Sequence, residues 1–281
     1  MKTILRLFAI LSILFAANGA FAAAQTLRFG ITPAMARNQY ALLEDWRDYL
    51  ARQLDRKVEF VFCDSYLDSL DLMKQQKLDF AWLSAPAYLE SMQQTDLLAT
   101  PVYQGKTYDH AYLIVPSTDK STRSLLDLKG KIFAYVDSAS NTGYLSSRDQ
   151  LQLAKQDPDQ FFKKSFFTHD HLKAIAAVAI GLADGGTVSG FVWDTLTLSR
   201  QDITGETRIV AKSGPYGFPP VVARHTLNKN DFAQMQNALL NMSKNKEGVA
   251  LLRRINLDGF TSADSRLYHG VYQMMKRAGE L

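Results

Sequence analysis

Residues 136–148 read VDSASNTGYLSSR. Upstream, KIFAYV has the apolar, β-branched and aromatic make-up of a strand. Downstream, Thr142 to Lys155 reads as a helix. Between them stand Ser138, Ser140, Asn141, Thr142 and Gly143, small residues rich in hydrogen-bonding groups. A helix that starts here presents unpaired N–H groups and the positive end of its dipole. An anion fits there with no lysine or arginine required. Ser140 and Thr142 add hydroxyl donors, Asn141 adds an amide donor, and Gly143 lets backbone come close to a ligand. Plain N-capping needs only one such residue. Three in a row before a glycine make the turn a candidate anion site, with capping as the open alternative.

Outward from this turn, strand-like and helix-like segments alternate. On the N-terminal side, strands are expected at Leu27–Ile31, Val58–Phe62, Asp79–Leu83, Leu97–Tyr103 and Ala111–Val115. Helices are expected at Tyr40–Leu54, where Leu43, Trp46, Leu50 and Leu54 recur at helical spacing, at Tyr66–Gln76 and at Ala85–Met92. This order predicts a mostly parallel sheet flanked by helices. A second series follows the polar connector STDKSTRS. It has strands at 131–136, Ser165–Thr168, Val188–Val192 and Arg208–Ala211, and a buried, Ala-rich helix at Asp170–Ile180. SGPYGFPP (213–220) is a Gly/Pro break. A strand (VVAR) and helices at 229–242, 246–254 and Leu267–Met275 come after it.

The chain therefore reads as α/β with two lobes. The first lobe comprises 23–115 and a return segment 213–281, and the second comprises 116–212. The crossings are placed near 115–120 and 211–214, as a hinge that closes on a ligand.

The N-terminus carries Lys2 and Arg6, an apolar run Leu7–Ala17 broken only by Ser12, and then Ala20-Phe21-Ala22. This is the pattern of a secretory signal peptide, 1–22, too short for a membrane span. The expected location is the periplasm. Loss of Lys2 and Arg6 leaves 30 basic against 28 acidic residues. No basic cluster marks a nucleic-acid face. Cys63 is the only cysteine, so no internal disulfide can form. His169 and His171 diverge on a helix and do not make a metal pair. No metal or cofactor is expected. No G-x-S-x-G nucleophile elbow is present, and Ser140 has no identified base, so an enzyme is not expected.

DLKGKIFAYVDSASNTGYLSSR (127–148) resembles the D-L-K-G-K-x-F-A-F-x-D-x-x-S-x-S-G-Y-L-x-P-R stretch of the phosphate/phosphite/phosphonate-binding periplasmic components of ABC importers. LDFAWLSAPAYLE, HLKAIAAVAIGLADGG, FVWDTL and LDGFTSADSRLYHGV follow the same family's order, so the similarity covers nearly all of the mature chain.

The resemblance implies a type II periplasmic binding fold with an interlobe ligand cleft. It implies that Ser140, Asn141 and Thr142 hold a phosphonate-type group, with His171 from the second lobe and Tyr88 from the first. Tyr40 is a weaker candidate for a second aromatic. Trp193 is a candidate for the cleft, with core packing as the alternative. Family members that grip an aminoalkyl phosphonate use carboxylates where Ser189 and Phe218 stand here, which argues against an ammonium-bearing ligand. The expected partners are a small anionic ligand and an ABC permease, with the protein acting as a monomer. The alternative is a ligand sensor reporting to a membrane kinase.

Overall fold

The structure, a computed structural model, describes residues 25–32 and 40–281. The expected signal peptide lies outside the described residues. Among those described, no helix is long and apolar enough to cross a membrane.

The first sheet is built on β1 (Leu27–Ile31), which lies between β2 (Val58–Phe62) and β3 (Phe80–Trp82), both parallel to it. All three residues of β3 are buried, as befits a short strand covered on both faces. Helix α1 (Tyr40–Leu54) packs Leu43, Trp46, Leu50 and Leu54 onto this sheet. Trp46 meets Phe29, Phe60, Trp82 and Phe260 at ring centroid distances of 5.4–6.3 Å. Helices α2 (Tyr66–Lys74) and α3 (Ala85–Ser91) complete the βα series.

The sheet is not parallel throughout. The late strand β12 (Val221–Arg224) inserts antiparallel between β3 and β4 (Thr95–Val102), and β13 (Gly259–Thr261) adds antiparallel to β4. The order is β13-β4-β12-β3-β1-β2.

The chain crosses to the second lobe through β5 (Tyr108–Asp109), earlier than the sequence implied. Strand β6 (Ala111–Pro116), read from sequence as part of the first lobe, pairs antiparallel with β9 (Gly185–Ser189) and β10 (Thr207–Lys212). It belongs to the second sheet, ordered β10-β6-β9-β7-β8, where β7 is Ile132–Tyr135 and β8 is Lys164–Phe167. The polar connector after Pro116 is a surface loop of that lobe. The Asp119 carboxylate accepts from the N–H groups of Ser121 and Thr122, and Arg208 donates to the carbonyls of Asp119 and Thr122. The return crossing carries β11 (Tyr216–Gly217), which pairs antiparallel with β5. Two crossing strands hydrogen-bonded to each other form the hinge.

Two local expectations change. The segment from Thr142 to Lys155 is not one α-helix: a π-helical turn spans Asn141–Leu145 and α4 follows over Ser146–Leu153. The expected strand Val188–Val192 is the end of β9 followed by helix α6 (Gly190–Thr197). An apolar run such as VSGFVW fits either period. Two side chains decide it by capping the first turn: the Ser189 hydroxyl accepts from Val192 N–H, and the Asp109 carboxylate accepts from Phe191 N–H.

The lobes touch across the cleft. Tyr66 N–H donates to Asp137 Oδ2 at 3.3 Å, the Ser84 hydroxyl donates to the Ala139 carbonyl, and Tyr103 donates to Asp194 at 3.0 Å. Arg277, on the C-terminal helix, pairs with Asp149 of α4 at 2.8 Å. The remaining helices are α5 (His171–Ala179), α7 (Gln201–Thr204), α8 (Lys229–Leu240), α9 (Lys246–Arg254) and α10 (His269–Ala278).

Candidate anion-binding cleft

Strand β7 ends at Tyr135, and the next residues form a tight turn that is buried except at Ser138. Asp137 Oδ1 accepts from Ala139 N–H at 2.8 Å, and its carbonyl accepts from Ser140 N–H at 2.9 Å. The Ser140 hydroxyl then accepts from Gly143 N–H at 3.0 Å, capping the π turn. Its own hydrogen remains free to donate. Among the described residues the N–H groups of Asn141 and Thr142 have no acceptor, and the Thr142 hydroxyl has no partner. Asn141 Oδ1 is buried without a partner.

A Cβ on Gly143 would lie 2.5 Å from Val136 Cβ and Cγ2, so the glycine lets the turn press against the residue that follows β7.

The turn opens onto a narrow, largely enclosed space between the lobes. Ser140, Asn141 and Thr142 line it, and so do the first turns of four other helices. Tyr66 is the first residue of α2, and Ser84 and Ala85 begin α3. His171 is the first residue of α5, and Ser189 and Phe191 begin α6. Five positive helix ends thus converge on one cavity. No lysine or arginine lines it among the described residues. Phe191, Phe218 and Pro219 form an apolar wall, with the two phenyl rings 5.0 Å apart and edge-on.

His171 is fully buried, and burial pulls its pKa down from 6.5 to about 3. Its Nδ1 receives the Ser189 N–H at 3.1 Å, so the neutral ring carries its proton on Nε2. The histidine is therefore an uncharged donor held in one tautomer. Among the described residues, the only formally charged side chain of the wall is that of Asp109, from hinge strand β5. It is buried, and burial pushes its pKa up. Its Oδ2 accepts from the Ser189 hydroxyl at 2.6 Å, and its Oδ1 from His110 N–H at 2.8 Å and Phe191 N–H at 3.0 Å.

The structure brings Ser140, Asn141, Thr142 and His171 together at this cavity. It does not bring Tyr88 or Trp193 there. Tyr88 is buried within the first lobe, edge-on to Tyr268 at 5.1 Å, because α3 points it into the core. Trp193 faces away on α6, where its Nε1–H donates to Thr207 at 3.0 Å and its ring lies 6.2 Å from Tyr112. Tyr40 begins α1, and its side chain lies outside the described residues.

Sequence reasoning missed Tyr66, Ser84, Phe191 and Asp109. Ser84 carried a usable signal, as a serine two residues before a proline at a helix start. Asp109 carried none.

Two α/β lobes, two hydrogen-bonded crossing strands and a cavity walled by helix N-termini define a two-lobed periplasmic solute-binding fold of type II. The chain belongs to the family described as ABC transporter, phosphonate, periplasmic substrate-binding protein, whose model matches residues 29–268.

A phosphonates-binding periplasmic protein of Escherichia coli is 24% identical over 253 residues, covering 86% of this chain and 74% of that protein. Among solved structures, a binding protein component of an ABC phosphonate transporter from Pseudomonas aeruginosa is similar at TM-score 0.82 and 22% identity. The match covers 89% of this chain and 85% of that one. PhnD1 of Prochlorococcus marinus in complex with methylphosphonate is similar at TM-score 0.81 and 19% identity, covering 91% and 99%.

Proposed function

We propose that this protein captures a small phosphonate-class oxyanion between its lobes in the periplasm and delivers it to an ABC permease. The observation that carries the reading is the convergence of five helix first turns on one enclosed, buried cavity with no lysine or arginine among its described lining residues. Such a wall favours negative charge through oriented dipoles and neutral donors. In this reading Ser140, Thr142 and the free N–H groups of Asn141 and Thr142 hold the oxyanion from one side. His171 Nε2–H donates from another. The phenyl wall of Phe191 and Phe218 accommodates a short alkyl group or a hydrogen on the central atom. Family membership supports transport rather than sensing as the downstream step.

The test is a thermal-shift and calorimetric series with methylphosphonate, phosphite, phosphate and sulfate. A ligand at a hundredfold excess over its Kd stabilises the folded state by about 2.7 kcal/mol, a shift read easily in the melting curve. The reading fails if none of these oxyanions raises the melting temperature.

A further inference from the structure

We infer that Asp109 makes the cleft selective for oxyanions that still carry an acidic hydrogen, because its carboxylate faces the bound anion and accepts that hydrogen. This rests on the anion reading above and refines it.

Asp109 lines the cavity, and only 3% of it is exposed. No lysine or arginine pairs with it among the described ion pairs. A carboxylate has about four acceptor positions. Three are filled, by the Ser189 hydroxyl and by the N–H groups of His110 and Phe191. By this count the remaining capacity belongs to Oδ2. A buried carboxylate next to a fully ionised anion is repelled and left with an unsatisfied acceptor. A ligand with a P–OH removes both penalties by donating to it, while its other oxygens take the hydroxyl, imidazole and backbone donors.

Capping alone does not explain the charge. An asparagine oxygen would accept from His110 and Phe191 equally well.

The neighbouring titratable groups leave this contact as the place where a proton matters. His171 is neutral, held so by burial, and Tyr66 and Tyr112 are kept protonated by burial. The ring of His110 turns away, with Nδ1 on the Ser213 carbonyl at 2.8 Å.

Methylphosphonate and methanesulfonate make the discriminating pair. Near pH 6 both are monoanions of the same shape, and only the phosphonate bears a hydrogen on oxygen. The expected result with the unmodified protein is a preference for methylphosphonate of about 100-fold or more, as for a site built around a hydrogen bond the analogue cannot make. Asp109→Asn, whose oxygen keeps the two backbone caps and whose amide can donate to Ser189, is expected to shrink that preference at least tenfold. In the unmodified protein, methylphosphonate affinity is expected to fall as pH rises and the monoanion loses its hydrogen, while methanesulfonate affinity stays flat.

If neither ligand binds, the anion reading itself fails. If both bind within about threefold of each other, or methylphosphonate affinity does not fall with pH, the anion reading stands and the role of Asp109 is overturned. The pH series on the unmodified protein decides the matter even if Asp109→Asn does not fold. A folded Asp109→Asn with the original preference also overturns it.

Discussion

Ser140 and Thr142 sit two residues apart in one turn, and the structure gives their hydroxyls different work. The Ser140 oxygen caps the turn through Gly143 N–H, whereas the Thr142 hydroxyl has no partner among the described residues and lines the cavity. Thr142→Val keeps the shape and removes one donor that only the ligand uses. A hydrogen bond to a charged group contributes about 1.5–3 kcal/mol. That predicts a 10- to 150-fold weaker Kd at roughly 1.4 kcal/mol per decade, with no change in the melting temperature of the ligand-free protein. Ser140→Ala removes a comparable donor and also the cap. Loss of the cap costs about 1 kcal/mol, which lowers the ligand-free melting temperature by roughly 2–4 °C for a chain of this size. Isothermal titration with methylphosphonate and differential scanning calorimetry without it separate the two effects. The reasoning is refuted if Thr142→Val lowers the ligand-free melting temperature as much as Ser140→Ala does while leaving Kd unchanged.

Gly143→Ala places a methyl 2.5 Å from Val136. It should destabilise by about 1–3 kcal/mol through overpacking, weaken binding as well, and cost less in a Val136→Gly background, as thermal unfolding of the four variants would show. His171 folds with its pKa near 3 instead of 6.5, so its contribution to stability is complete above about pH 6.5 and is lost as pH falls toward 3. Between pH 7 and 5 the ligand-free protein should lose about 2 kcal/mol more than His171→Gln does, measured by urea unfolding at the two pH values. Trp193→Phe loses the bond to Thr207, worth about 1 kcal/mol of stability, and should leave Kd for methylphosphonate unchanged. A marked loss of affinity would return Trp193 to the cleft.

The alternation of elements was readable because most of them obey one period. Leu43, Trp46, Leu50 and Leu54 mark α1, and the fully buried FAW marks β3. The turn at 138–143 was readable as a cap and as part of a cavity wall, and Ser140 caps while it lines the cavity. The hinge was misplaced because composition is a poor guide to which sheet a strand joins. Ala111–Pro116 is equally apolar in either lobe, and only its pairing with β9 and β10 assigns it. The same limit hid Asp109. A lone aspartate between Tyr108 and His110 has no local pattern, and its meaning comes from Ser189 and Phe191, some 80 residues away in sequence.

In the proposed site, the turn that would offer donors to the ligand also holds the lobes together. Asp137 and Ala139, just before Ser140, receive Tyr66 N–H and the Ser84 hydroxyl from the first lobe. Tyr66 and Ala85 line the cavity beside those contacts, so an anion there touches both lobes only when they are closed. A ligand shifts the open–closed equilibrium by its differential affinity for the two states. In the proposed site that difference would come from the first turns of α2 and α3, which closure brings to the cavity. The lobe-to-lobe bonds include the Tyr66–Asp137 and Ser84–Ala139 contacts and three side-chain pairs, Tyr103–Asp194, Asn256–Thr195 and Arg277–Asp149. At roughly 0.5–3 kcal/mol each they can be broken and remade, which a protein that must release its ligand requires. A cleft built on a lysine or arginine clamp would hold the anion more tightly and open less readily.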